Sequence, residues 1–312
     1  MKVCFIGLGS IGKRHLKNLI DLSKQYNLQL EVHAFRKAHR PLERDIEELV
    51  DHQIFCEEDL NCDYDIVFIT NPTNLHYDTI KLMENKTKNM FIEKPIFDNQ
   101  EYSVNDLKFN DNGIYYVAGP LKYSLVIQKL KEILQNERVY NIRAICSSYL
   151  PDWRPNVDYR NIYSAKKIEG GGASIDLIHE WDYITYLFGF PAKAFNLKGQ
   201  YSHLEIDSDD ISIYIGKYED KLVEIHLDYF GRRSRREIEL FTESGTIIGD
   251  FINKRIYFSD GRETINFIEG NNDMYVKELK NFIDMVLNAS KGENNTKHAY
   301  NLLKLAMGDS GI

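Results

Sequence analysis

Short apolar runs alternate with amphipathic stretches over the first part of the chain. The runs predict buried strands at residues 2–6, 29–35, 65–70, 89–92 and 114–118. Helical stretches separate several of these strands, which is typical of a parallel sheet with crossover helices. We therefore predict an α/β, doubly wound parallel sheet that forms a domain over residues 1–119.

The pattern changes after residue 120. A helix is predicted over 121–135, a strand over 140–149, a polar and aromatic loop over 151–169, and a helix over 173–188. Strands with alternating apolar positions follow at 193–201, 209–217, 221–230, 235–242, 246–250, 254–258 and 263–268, and helices at 272–288 and 296–307. Such alternation favours a sheet with one covered face. We predict that residues 120–312 form an α+β domain with a large, mostly antiparallel open sheet, for substrate binding and oligomerisation.

Charge and cysteine content narrow the class of protein. The chain has 39 Lys and Arg against 47 Asp and Glu, a formal net charge of −8, so we expect no nucleic-acid partner. Cys4, Cys56, Cys62 and Cys146 are isolated, which indicates reduced core thiols, a cytoplasmic protein and no metal centre. No export leader and no membrane-spanning run is apparent, so we expect no membrane partner.

Three glycines directly follow the first strand. Gly7, Gly9 and Gly12 form a GxGxxG pattern between that strand and a helix. In a dinucleotide site one glycine permits the turn, one admits a pyrophosphate, and one allows helix and strand to pack closely. With Ser10 and Ile11, they are the predicted phosphate-binding backbone. The alternative is a glycine-rich turn without a ligand.

The second strand ends without a carboxylate. NAD-selective sites place an acidic residue there for the ribose hydroxyl, but Arg36 and Lys37 follow Phe35. A guanidinium can pair with a 2′-phosphate and stack on adenine, so we predict NADP in preference to NAD. The alternative is that both cations are solvated loop residues and either cofactor is accepted.

Two polar motifs follow the next strands. Ligands of open α/β sheets lie beyond the carboxyl ends of the strands, so these motifs are expected at the cofactor cleft. The predicted cofactor contacts are Thr70, Asn71, Pro72, His76, Glu93 and Lys94. Lys94, beside a proline, could hydrogen-bond a substrate hydroxyl and stabilise negative charge; the alternative is a surface lysine.

The predicted helix 173–188 supplies candidate proton-transfer groups. Its apolar stripe is Leu177, Trp181, Ile184 and Phe188, and its polar side is Asp176, His179, Glu180 and Tyr183. A histidine suits proton exchange with an alcohol, and Asp176 could orient it or hold a substrate hydroxyl. Three preceding glycines leave room for a ligand. The alternative is a solvated polar face.

Four motifs together resemble the Gfo/Idh/MocA family. They are GLGSIG at 7–12, TNPTNLH at 70–76, EKP at 93–95 and GGGxxxDxxH at 170–179. The resemblance implies an NAD(P)-dependent oxidoreductase of sugars, polyols or sugar nucleotides, with an N-terminal Rossmann domain. It implies Lys94 as the active-site lysine, His179 as the proton-transfer histidine and Asp176 as its companion. The Asp–His spacing is three where the family commonly has four, and residues 120–125, with Tyr123, depart from the family's pattern.

The loop 151–169 offers aromatic planes and arginines. Together with Tyr123, Lys94, Asp176 and His179, the predicted substrate contacts are Trp153, Arg154, Tyr159 and Arg160. Such a set could receive an anionic or nucleotide-linked sugar. The equally open alternative is a loop packed by its own aromatics, or an oligomer contact.

The function predicted from these residues is hydride transfer between a nicotinamide cofactor and a secondary alcohol or ketone of a sugar-like substrate. A homodimer or homotetramer is expected, because large apolar faces rarely stay bare. Two alternatives remain open. One is a non-enzymatic NAD(P)-sensing regulator on the same fold, and the other is a reductase of a non-sugar ligand.

Overall fold

The computed structural model describes residues 1–37, 39–292 and 295–308. The chain divides into two compact units, the first formed by Met1–Ala118 with Tyr275–Tyr300, the second by Gly119–Met274 with the segment from Asn301 onward. This differs from the prediction of one domain over 120–312. Residues 275–300 group with the first unit because Leu279, Phe282 and Ile283 are buried in its core.

The first unit holds a six-stranded, entirely parallel sheet. Its strands are β1 (Lys2–Ile6), β2 (Glu31–Phe35), β3 (His52–Ile54), β4 (Ile66–Ile69), β5 (Asn89–Ile92) and β6 (Ile114–Val117). The predicted strands are confirmed, and β3 was missed because His52 and Gln53 are polar and exposed at the sheet edge. The helices of this part are α1 (Ser10–Gln25), α2 (Arg44–Glu47) and α3 (His76–Met83).

The strand order is β3-β2-β1-β4-β5-β6. Order reverses between β1 and β4, and ligands of such sheets bind beyond the carboxyl ends of the strands at that point. Gly7 follows β1 and Thr70 follows β4. Both polar turns singled out in the sequence therefore begin at the switch point.

The second unit holds an eight-stranded sheet of order β14-β13-β12-β11-β7-β10-β9-β8, and among its described strand pairs only β7–β10 is parallel. Its strands are β7 (Val139–Tyr149), β8 (Lys193–Gly199), β9 (Ile211–Lys217), β10 (Leu222–Asp228), β11 (Phe230–Thr242), β12 (Thr246–Asp250), β13 (Arg255–Phe258) and β14 (Ile265–Asn266). The predicted α/β fold class with a large, mostly antiparallel second sheet is confirmed.

Helices complete the chain. They are α4 (Leu125–Ile133), α5 (Ala173–Asp176), α6 (His179–Phe188), α7 (Asp273–Asn288) and α8 (Thr296–Met307). The prediction of a single helix over 173–188 is wrong, because Leu177 and Ile178 separate α5 from α6. The N–H of Ile178 donates a hydrogen bond to the carbonyl of Ile175, three residues earlier. Asp176, Glu180 and Tyr183 on the predicted polar side are as buried as the apolar stripe. The alternation of apolar and polar positions therefore does not separate a buried side from an exposed side in this segment.

All four cysteines are free, but only Cys4 and Cys146 are buried. The prediction of core thiols is therefore wrong for Cys56 and Cys62, which are exposed. Among the described helices, none has both the length and the apolar character needed to cross a bilayer.

Candidate active site

In the glycine turn of the first unit, each of the three glycines has the geometry that the sequence pattern predicts. Gly7 has φ +91°, which favours glycine, and its N–H donates to the Phe35 carbonyl at 3.1 Å. A Cβ at Gly12 would lie 2.4 Å from the Gly7 carbonyl oxygen, so α1 packs directly on the turn. A Cβ at Gly9 would meet no described atom within 4 Å. The turn is therefore closed toward the sheet and open at Gly9.

The amino terminus of α1 can bind an anion. The first intrahelical bond runs from Lys13 N–H to the Gly9 carbonyl, so the amides of Ser10, Ile11 and Gly12 have no acceptor within the helix. No described side chain caps this end. These amides and the helix dipole favour a phosphate group. The backbone accordingly fits the pyrophosphate of a dinucleotide.

Residues after β4 brace the turn or face a cavity. The hydroxyl of the buried Thr70 donates to the Gly7 carbonyl at 2.6 Å, so Thr70 stabilises the turn directly. The Asn71 amide nitrogen donates to Thr79 Oγ1 at 2.7 Å. The buried Oδ1 of Asn71 finds no hydrogen-bond partner among the described residues. A buried acceptor of this kind is suited to a ligand donor.

His76 links the two strand-end motifs. Its Nδ1 lies 3.0 Å from the Pro95 carbonyl oxygen and its Nε2 lies 3.0 Å from the Asn71 carbonyl oxygen. Burial lowers the pKa of the ring, while the two carbonyl contacts act in the opposite direction. His76 therefore contributes by connecting the turns after β4 and β5.

A hydrogen bond between a histidine and a glutamate fixes the end of β5. His15 Nε2 on α1 lies 2.6 Å from Glu93 Oε1, and the His15 side chain is fully buried. Glu93 Oε2 accepts the N–H of Lys94 at 3.2 Å. Burial raises the pKa of the Glu93 carboxyl, but His15 and the charge of Lys94 outweigh burial and hold it below its usual value. Lys94 thus follows a carboxylate anchored to the helix of the glycine turn.

A cavity of about 430 Å³ lies beside the turn. Residues predicted to bind cofactor line it, namely Gly7, Arg36, Lys37, Asn71 and Pro72. Arg40, which the sequence interpretation did not include, adds a third cation, and Glu57 and Asp78 add carboxylates. The Arg36 guanidinium donates to Gln53 Oε1 at 2.6 Å and lies 6.0 Å from the centre of the Phe55 ring.

In the second unit, three hydroxyl groups surround Asp176. Ser164 donates to Oδ2 at 2.7 Å, Tyr229 donates to Oδ2 at 3.1 Å, and Tyr163 donates to Oδ1. Burial first, and then the charge of Asp176, raises the pKa of both tyrosines well above the usual value. The tyrosines therefore remain hydrogen-bond donors, and the cluster fixes the carboxylate in place.

His179 begins α6, directly after the residues that separate it from α5. The ring is half-buried and lies three positions beyond Asp176. The next residue, Glu180, is fully buried and binds Arg236 through contacts of 2.7 and 3.1 Å. The idea of a solvated polar face is therefore wrong for Asp176, Glu180 and Tyr183, which are all buried.

The glycines before α5 serve packing. A Cβ at Gly171 would lie 2.2 Å from the Tyr163 carbonyl oxygen, and one at Gly172 would lie 2.5 Å from Asp209 Oδ1. Asp209 in turn accepts the N–H of Ser174 at 2.8 Å. The expected room for a ligand beside these two glycines is thus occupied by the protein itself.

The predicted substrate loop separates into two groups. Trp153 packs edge-on against Tyr229 with ring centres 5.2 Å apart, and the charge of Arg154 acts on Tyr163, so both belong to the surroundings of Asp176. Arg160 instead binds Asp158 and Glu205, at 2.9 and 2.6 Å, and the Tyr159 hydroxyl accepts the N–H of Glu205. The structure does not bring this second group to Asp176.

Tyr123 contacts its neighbour in the chain. The Lys122 ammonium lies 5.6 Å from its ring centre, and Lys122 itself is buried. His15 and Tyr229 were not predicted as functional residues, and the hydrogen bonds from Tyr163 and Ser164 to Asp176 were not predicted either. Only their polar character within apolar surroundings could have marked them, and that signal does not name a partner.

Comparison with known proteins supplies the family. The family model described as an oxidoreductase family with an NAD-binding Rossmann fold matches residues 1–108. The model of the GFO/IDH/MocA C-terminal domain matches residues 127–248. The two matches follow each other along the chain and together cover more than half of it.

Individual relatives are distant. The uncharacterized oxidoreductase YrbE of Bacillus subtilis (strain 168) is 27% identical over 207 residues, which span 62% of this chain and 55% of that protein. The myo-inositol 2-dehydrogenase of Thermotoga maritima is 23% identical over 310 residues, covering 92% of this chain and 88% of that protein.

A solved structure agrees in fold. Levoglucosan dehydrogenase in complex with NADH and levoglucosan aligns with a TM-score of 0.83 at 16% identity, covering 98% of this chain and 95% of that one. With an open glycine turn at the switch point and both family models matched in order, the chain belongs to the GFO/IDH/MocA oxidoreductase family.

Proposed function

We propose that this protein catalyses reversible hydride transfer between NADP or NAD and a secondary alcohol or ketone of a sugar-like substrate. Family membership supports an NAD(P)-dependent oxidoreductase. Two of the similar proteins are named as dehydrogenases of myo-inositol and of levoglucosan, which supports a polyhydroxylated substrate here. The observation that carries the proposal is the anchoring of the EKP turn, where Glu93 is held by His15 and binds the N–H of Lys94.

The proposed chemistry divides between three side chains. When bound, the dinucleotide supplies the hydride acceptor. Lys94 hydrogen-bonds the reacting oxygen and stabilises negative charge on it. As the alcohol carbon gives up hydride, the His179 imidazole takes the hydroxyl proton, and the reverse reaction returns it. Asp176 holds the substrate and its companion histidine in a fixed arrangement.

The hydrogen bonds of Asp176 support a positioning role for this residue. The three hydroxyl groups that donate to Asp176 keep their protons at neutral pH, because two belong to tyrosines of raised pKa and one belongs to a serine. Because both of its oxygens already accept hydrogen bonds from protein side chains, Asp176 is assigned a positioning role. Proton exchange is therefore assigned to His179.

The cofactor preference proposed is NADP. The cavity beside Gly7 includes Arg36, Lys37 and Arg40, and β2 ends in Phe35 with no carboxylate at that position. Guanidinium groups bind phosphate through paired hydrogen bonds. A 2′-phosphate would give these three cations an anionic partner.

An oligomer is also proposed. The outward side of the β8–β9 pair exposes Phe195, Leu197, Ile213 and Ile215, by 57%, 78%, 38% and 47% respectively. Monomeric proteins rarely leave such a contiguous apolar face in water. A second copy of the chain is the proposed cover, in a homodimer or homotetramer.

The test of the proposed function is Lys94→Ala. We expect turnover of polyol substrates, followed by reduced-nicotinamide absorbance, to fall below detection while binding of the dinucleotide, measured by calorimetry, stays within threefold. Lys88→Ala, an exposed lysine of the same unit, is the matched control and should keep full turnover. Full turnover in Lys94→Ala would refute the assigned role. Absence of turnover in the wild type with retained cofactor binding would favour a sensing regulator.

A further inference from the structure

A cluster of metal-ligating side chains lies on the two outer strands of the parallel sheet. Glu31 and His33 are two residues apart on β2, so they point to the same side, and His52 is the partner of His33 on β3. One potential ligand atom from each residue lies within 4.8 Å of the others. We propose that Glu31, His33 and His52 form a binding site for a divalent transition-metal ion of the zinc class.

The distances suit a shared metal ion after small side-chain movements. His33 Nε2 lies 2.8 Å from Glu31 Oε1, and the rings of His33 and His52 have centres 4.8 Å apart. Metal bonds of about 2.0–2.1 Å in a tetrahedral site separate ligand atoms by roughly 3.3 Å. Glu31 and His52 are both exposed, so their side chains can rotate and move their ligand atoms by the distance, up to about one ångström, that coordination requires.

His33 is oriented for coordination. Its ring is 5% exposed, and Nδ1 lies 3.1 Å from the hydroxyl of the buried Tyr64. When Nε2 binds a metal, Nδ1 carries the proton and donates it to that hydroxyl oxygen. In known metal sites, a hydrogen bond from the ring nitrogen that does not bind the metal fixes the ring and raises the basicity of the nitrogen that does.

The charges around the cluster favour a cation. Glu31 and Asp63 are both carboxylates close to His33, and the nearby Lys2 ammonium is bound to Asp63 at 2.9 Å. Two imidazoles and one carboxylate select Zn²⁺, Ni²⁺, Co²⁺ or Cu²⁺ over Mg²⁺ and Ca²⁺.

The position in the sheet predicts what the metal does. Glu31 begins β2, whereas the cavity beside the glycine turn is lined by Phe35 at the other end of that strand. The ion would join β2 to the short strand β3 and would not reach the dinucleotide. We therefore expect the site to stabilise the first unit and to leave turnover unchanged.

Zinc binding to the purified protein tests the proposal. We expect calorimetric titration with ZnCl₂ to give one site per chain and a higher midpoint of thermal unfolding in the presence of the ion. His52→Ala removes an exposed ligand and should weaken binding at least tenfold, as should Glu31→Gln. His203→Ala, an exposed histidine of the second unit, is the control and should bind as the wild type does.

The outcomes separate this proposal from the proposed function. No zinc binding at 100 μM metal, or equal affinity in wild type, His52→Ala and Glu31→Gln, would overturn the site. Retention of affinity in His52→Asp, which keeps a ligand oxygen, would support it. Turnover with and without a chelator should be equal, and activity of the enzyme does not decide whether the site exists.

Discussion

Asp176 is a buried carboxylate of the second unit whose two oxygens both accept hydrogen bonds from side chains. Its two oxygens accept hydrogen bonds from Tyr163, Ser164 and Tyr229, which come from the loop before α5 and from the junction of β10 and β11. A carboxylate buried to this degree is stable only when its acceptors are satisfied. The cluster therefore couples loop, helix and sheet at one side chain.

Tyr229→Phe tests that coupling. The substitution keeps the ring but removes one donor, and hydrogen bonds to charged groups contribute about 1.5–3 kcal/mol. We expect the free energy of unfolding, measured in urea, to fall by that amount. Tyr201→Phe, at an 80% exposed position, is the control and should change it by less than about 0.5 kcal/mol. Equal effects of the two substitutions would contradict the cluster.

Arg36 is the residue on which the proposed cofactor preference depends most. We expect Arg36→Ala to reduce kcat/KM for NADPH at least tenfold, because a charge-assisted hydrogen bond to phosphate is lost, worth about 1.5–3 kcal/mol. The value for NADH should change less than threefold. Arg44→Ala, whose side chain is 92% exposed, is the matched control. Parallel losses with both cofactors would refute a role in recognising the 2′-phosphate.

At the scale of elements, α1 and β5 are joined by His15 and Glu93. Their atoms lie 2.6 Å apart, and a hydrogen bond to a charged group typically contributes about 1.5–3 kcal/mol. We expect His15→Gln and Glu93→Gln each to destabilise the protein to unfolding in urea, and the double variant to lose less than the sum. Additive losses in this double-mutant cycle would show that the two side chains do not interact.

The same pair predicts a pH dependence. Since the native pKa of Glu93 is lowered, the unfolded state binds the proton more readily. The stabilisation is complete above the ordinary carboxyl pKa, near 4.5, and is lost as pH falls through the native value. The difference in unfolding free energy between wild type and Glu93→Gln should therefore be largest at pH 7 and shrink toward pH 3. A constant difference would contradict this linkage.

The sequence predicted elements better than contacts. Apolar runs identify β1, β4 and β5 because both faces of a parallel strand are buried. The edge strand β3 has no such signal, and the pattern over 173–188 does not reveal that Leu177 and Ile178 interrupt the helix. Contacts such as that of His15 with Glu93 join residues 78 positions apart. Periodicity predicts which side of an element is exposed, but it does not predict which residues that side contacts.

At the scale of the molecule, the C-terminal helices alter the simple picture of two consecutive domains. The chain returns to the first unit for residues 275–300, and then continues in the second. Phe282 of α7 packs against Phe68 and Phe91 of the parallel sheet, with ring centres 6.2 and 5.3 Å away. An apolar helix face alone does not indicate which of two sheets will cover it, because the hydrophobic effect is non-directional.

The proposed oligomer is the prediction that involves more than one chain. Phe195 and Ile215 are register partners, as are Leu197 and Ile213, so the four side chains form a continuous patch on the outward side of β8 and β9. A stable interface buries at least about 1,000 Å² with an apolar centre. We expect the wild type to have the mass of a dimer or tetramer in light scattering after size exclusion.

A charge at the centre of that patch should dissociate the assembly. Ile215→Lys places an ammonium group where a partner would exclude water, and an unpaired buried charge costs more than such an interface supplies. The mass should therefore fall to that of a smaller assembly, with the thermal midpoint measured alongside to show that the chain remains folded. Ile252→Lys, at a 49% exposed position in the turn after β12, is the control and should keep the wild-type mass. A monomeric wild type, or an unchanged mass in Ile215→Lys, would rule out the face of β8 and β9 as the interface.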